Sequence, residues 1–78
     1  MISDHPTADC AISAALAQDW KEAIRVNLAI LKSNRGDLEA LCRLAFAYLK
    51  TGQLLTAKRT YQKVLSSDKY NQIATKNL

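Results

Sequence analysis

Apolar residues recur at helical spacing from Ala8 almost to the last residue, and the breaks between stretches are only two to four residues long. The breaks fall at Gln18-Asp19, Ser33-Asn34-Arg35-Gly36, Thr51-Gly52 and Ser66-Ser67-Asp68. A chain of 78 residues patterned in this way has few options beyond consecutive helices whose tight connections make neighbours antiparallel. Two glycines and one proline argue the same way, because a turn-rich all-β domain needs more of both. The fold class read from the sequence is therefore all-α.

Local signals set the helix limits. Asp19 precedes Trp20 and has Glu22 three residues later, which reads as a capping box. That second helix carries Ala23, Ile24, Leu28, Ile30 and Leu31, and Gly36 is placed to close it with a left-handed backbone. Asp37 caps a third helix over about 38–51. The fourth, about 53–67, carries Leu54, Ala57, Tyr61, Val64 and Leu65, and Asn71 is placed to cap a short last helix through Leu78.

Sliding the chain along itself until Ala11 meets Ala45 also brings Ala23 onto Ala57, Arg25 onto Arg59 and Leu31 onto Leu65. Ser33 meets Ser67, Ala40 meets Ala74, Leu44 meets Leu78, and the turns at Gln18-Asp19 and Gly52-Gln53 coincide. Small residues thus recur where helices would cross closely. The offset equals the period of roughly 34 residues at which helix–turn–helix arrays repeat. The unit is a helical hairpin.

The stretch Leu41, Leu44, Ala45, Tyr48, Gly52, Leu54, Ala57, Tyr61, Val64 resembles the tetratricopeptide repeat through one unit, 38–71. Unit 4–37 matches through Cys10, Ala11, Ala14, Trp20, Ala23 and Ile30, and 72–78 look like the start of a third. Arg35 and Lys69 stand where the family has proline, and Asn27 stands where Tyr61 stands in the next unit. The resemblance implies one domain over 1–78. It would hold two antiparallel hairpins in a right-handed stack, with a short C-terminal helix that caps the stack or is truncated. Such arrays usually need three or more units. Leu78 is accordingly read as a truncation within a longer protein, and the isolated domain is expected to self-associate at least weakly through its open repeat edges.

Chemistry is sparse. The only histidine, His5, precedes Pro6 at the chain's start, and no nucleophile has a base and an orienting group at useful spacing. Cys10 reads as a small core residue on an apolar helix face. Two cysteines and one histidine cannot make a structural zinc site, and no glycine-rich phosphate loop is present. No enzyme, cofactor or metal is implied. No apolar run reaches the roughly 20 residues that cross a bilayer, and no signal peptide opens the chain, so a membrane is not a partner. Unpaired thiols suit the cytoplasm.

At 100° per residue, Leu38, Ala40, Leu41, Leu44, Ala45 and Tyr48 form the core sector of the third helix. Phe46 lies off that sector beside Glu39, Arg43 and Lys50, with Cys42 and Leu49 between. The resemblance implies that first helices of successive repeats line a concave groove, here Glu39, Cys42, Phe46, Leu49 and Lys50. Ala8, Ile12, Ala15 and Leu16 would extend it in the first unit and Lys76 in the third. Ala8, Ile12 and Arg43 occupy the positions of the family's two-carboxylate clamp, so that clamp is not reproduced. An apolar groove with a basic rim suits a peptide or helix of another protein. Alternatively, Phe46 packs against the neighbouring repeat, or a symmetry mate fills the groove.

Residues 1–36 carry four basic and four acidic side chains, whereas 37–78 carry seven and three, so the net +4 belongs to the second half. Lys58, Arg59 and Lys63 fall on the outer face of the fourth helix. They are not interleaved with stacking aromatics and match no nucleic-acid motif. A nucleic-acid adaptor is the remaining alternative; a solvated face is the plainer account.

Overall fold

Helices start where a short polar side chain offers an oxygen to an unpaired backbone N–H. The computed structural model, which describes residues 7–68 together with Asn71, Ala74 and Lys76, shows this at four places. Thr7 accepts from Cys10 N at 3.3 Å, Asp19 from Glu22 N at 3.2 Å, Asp37 from Ala40 N at 3.0 Å, and Asn71 from Ala74 N at 3.0 Å. Among the described residues four helices are complete: α1 Ala8–Leu16, α2 Trp20–Ser33, α3 Leu38–Lys50 and α4 Leu54–Ser67. The last of these follows Gln53, which makes no side-chain cap bond. No strand occurs among the described residues. Ala74 and Lys76 are helical; the remainder of the expected last helix lies outside the described residues, as does His5.

The turns recur with the spacing seen in the sequence. Asp19 N donates to Ala14 O and Gln53 N to Tyr48 O, both at 2.9 Å and separated by the repeat offset. Asn34 N donates to Ile30 O at 2.9 Å, and Asp68 N to Val64 O at 2.8 Å. Asn34 and Asp68 leave their helices with near-identical dihedrals, φ −142°, ψ 90° and φ −139°, ψ 92°. The two described residues with left-handed backbone, Gln18 at φ 59° and Gly52 at φ 80°, are again one offset apart. Glycine takes this conformation freely; glutamine at the equivalent position bears a steric cost.

Two expectations fail at the helix ends. Gly36 is not left-handed, because α2 already terminates at Asn34 in an extended conformation. Glu22 does not complete a capping box; its carboxylate takes both bonds of the Arg25 guanidinium, at 2.7 and 2.6 Å. That hydrogen-bonded pairing holds the Glu22 carboxyl below its ordinary pKa.

Each helix packs on the next, and α1 also reaches α3. Close approach is allowed by alanines: Ala11, Ala40, Ala45, Ala47 and Ala57 are fully buried. One core cluster joins Leu41, Cys42 and Ala45 to Tyr61, Val64 and Ala74, with Leu31, Leu38, Leu49 and Leu65 against it. A smaller one joins Ala14, Ala23 and Ala47, with Trp20 and Ile24 beside them.

Cys10 is exposed, contrary to its reading as a core residue. Leu44, one sequence offset further on, is 4% exposed. The difference is one of neighbours, since α3 lies between α2 and α4 while α1 has helices on one side only among the described residues. Leu54 is likewise exposed instead of sharing the buried stripe of Ala57, Tyr61 and Val64, because it sits at the first position of α4, beyond the helices that cover the rest.

Candidate functional site

The face of α3 that carries Phe46 opens onto a cavity of about 190 Å³. Ala15 of α1, Trp20, Ala23 and Asn27 of α2, and Tyr61 of α4 meet Cys42, Arg43 and Phe46 of α3 there. Trp20 and Phe46 pack edge to face, with ring centroids 5.8 Å apart and planes at 71°. The Lys50 ammonium lies 5.1 Å from the Phe46 ring centre, one helical turn on, in cation–π range. Phe46 still leaves 40% of its surface open. Phe46 thus packs against a neighbouring helix, as its alternative reading had it, and stays partly accessible.

Polar atoms of the site differ in how well they are satisfied. Asn27 is fully buried and donates from Nδ2 to Ala23 O at 2.8 Å. Its Oδ1 accepts from Arg43 Nε at 3.0 Å. This bond fixes a mostly buried guanidinium at the cavity wall, while Glu39 reaches the same group at only 3.9 Å from solvent. The Tyr61 hydroxyl is buried with no hydrogen-bond partner among the described residues. Burial raises its pKa, and the adjacent Cys42 thiol, itself pushed up by burial, adds to the shift.

A second cavity of about 310 Å³ continues along the same side of α3, between Leu38, Glu39, Cys42, Arg43 and Asn71. Cys42 and Arg43 border both, so the two cavities adjoin along α3 and together make the channel-like face of that helix. Six of the sequence candidates, Ala15, Glu39, Cys42, Arg43, Phe46 and Lys50, are brought together here. Leu49 instead packs against the main core cluster. Ile12, Leu16 and Ala8 are exposed on α1 outside the channel, and Lys76 is exposed outside it too.

Trp20, Asn27 and Tyr61 are additions whose sequence signal pointed to packing alone. Asn27 carried a further hint, as a polar residue at the position held by an aromatic one repeat later. Among the described residues no group of three His, Cys, Asp or Glu could hold a metal ion. The arrangement can take up an apolar side chain against the two rings. Comparison with protein-family models, curated proteins and solved structures finds no match for the chain.

Proposed function

We propose that the chain is a tetratricopeptide-like helical repeat, stacked in the right-handed sense, that works as a non-catalytic interaction module. It binds a peptide or helix of another protein along the channel beside α3, in a cytoplasmic setting. The observation that carries the reading is the half-open Trp20–Phe46 pair over an apolar cavity, rimmed by Arg43 and Lys50. Turn bonds that recur at the repeat offset support the family assignment. A partner side chain entering the cavity would lose its water against two rings, the arrangement typical of binding hot spots.

The test is selection from a displayed peptide library, followed by titration of the strongest binder. Phe46→Ala is expected to weaken it at least tenfold, about 1.4 kcal/mol, with helical circular dichroism unchanged. Lys50→Glu, at an exposed position, supplies a variant whose folding is not in question. Binders indifferent to both changes would refute the site.

A second reading is self-association, favoured by Leu54 and Leu55, which stand 63% and 73% exposed side by side at the start of α4.

A further inference from the structure

A different groove, sharing no residue with the channel beside Phe46, runs between α2 and α4 across the other side of α3. Its volume is about 540 Å³. Leu41, Leu44 and Tyr48 of α3 make the floor, and Leu28 and Leu31 of α2 make one wall. Thr56 and Thr60 of α4 make the other, and Thr60 commits its hydroxyl to the Thr56 carbonyl at 2.8 Å. Leu28 is 47% exposed, so the apolar surface is open to a partner.

Charge defines what fits. Arg35, Arg59 and Lys63 line the groove, and among the described residues no carboxylate does. None of the three is in an ion pair among the described residues, where Arg25 and Arg43 take the carboxylates of Glu22 and Glu39. Three unpaired cations above a leucine floor complement an anion carried on an apolar stripe. On α4 the lining positions run from Thr56 to Ser67, a stripe of roughly three helical turns or about 16 Å.

We propose that this groove docks an acidic amphipathic helix of a partner protein, leucine-type side chains down on α3 and carboxylates toward Arg35, Arg59 and Lys63. A second copy of the chain is a poor occupant, because net +4 brings cations to a basic rim. A nucleic acid would leave the leucine floor unused, and Tyr48 is the one aromatic lining residue available to stack on a base. The site is separate from the Phe46 channel and stands or falls without it.

The probe is a synthetic twelve-residue helical peptide with leucines along one face and glutamates on both flanks. Its controls are the same peptide with every glutamate changed to glutamine, and a single-stranded oligonucleotide. We expect the acidic peptide to bind, the glutamine version to bind at least tenfold more weakly, and added salt to loosen the acidic one. Arg59→Glu with Lys63→Glu, both on exposed positions of α4, should weaken it at least tenfold with circular dichroism unchanged, while Phe46→Ala leaves it intact. Amide shifts of the labelled protein should move at Leu28, Leu44 and Thr60. Absence of peptide binding, or binding blind to the charge reversal, overturns the proposal. So does an oligonucleotide that binds more tightly than the peptide and is lost on charge reversal, which would make the groove a nucleic-acid site. Binding lost in Phe46→Ala but kept on charge reversal would place the peptide in the other channel.

Discussion

Asn27 and Tyr61 occupy the same place in successive hairpins and meet the same burial with opposite outcomes. Both are fully buried, yet Asn27 spends its polar atoms on Ala23 and Arg43 while the Tyr61 hydroxyl has no partner among the described residues. An unsatisfied buried hydroxyl costs about 1–3 kcal/mol, so removing it should do no harm. Tyr61→Phe is expected to leave the midpoint of thermal unfolding unchanged or raise it by several degrees, since 1 kcal/mol moves a domain of this size by about 4–8 °C. A clear fall in the midpoint would mean that the hydroxyl has a partner in solution. The pairing of Lys50 with Phe46 was legible, because residues four apart share a helix face. Trp20 against Phe46 was not, since the two rings sit on different helices and nothing local joins them.

Helices and turns were the most legible part of the molecule. Asp19, Asp37 and Asn71 each cap as a short polar side chain ahead of an apolar run should. The failures came where two local solutions competed. Asn34 ended α2 before Gly36 was needed, and Arg25 drew Glu22 away from the backbone. The turns allow a paired test. Gln18 holds φ 59° where Gly52 holds φ 80°, and a side chain in the left-handed region costs roughly 1–2 kcal/mol. Gln18→Gly should therefore stabilise the protein in denaturant titration by about 1 kcal/mol. Gly52→Ala should destabilise it by a similar amount. An added Cβ at 52 meets nothing within 4 Å, so the loss would report backbone alone. Equal effects of the same sign would contradict a steric cost at both turns.

The whole molecule measures 39 × 24 × 17 Å with a radius of gyration of 12.0 Å, near the about 11.5 Å of a compact chain of this length. No helix among the described residues is long and apolar enough to cross a membrane. Leucines left outside the core are a property of this scale, because a helix face is buried only where a neighbouring helix covers it. Leu54 and Leu55 stand open at the start of α4. Sedimentation equilibrium is expected to show a weak, concentration-dependent dimer that Leu54→Gln with Leu55→Gln abolishes. A monomer at every concentration would remove the self-association reading.

The sequence by itself determined the all-helical class, the helix limits to within a position or so, the period, and the alanines that let helices approach. Each of these depends on hydrogen bonds and side-chain spacing within a few positions along the chain. Only the tertiary structure decided that Cys10 faces solvent while Leu44 does not, that Arg43 meets Asn27, and that Arg35 joins Arg59 and Lys63 around one leucine-floored groove. Those outcomes depend on which helix has neighbours on both sides and on where separate helices cross. A hydrophobic stripe specifies that a face must be covered; helix packing alone specifies by what.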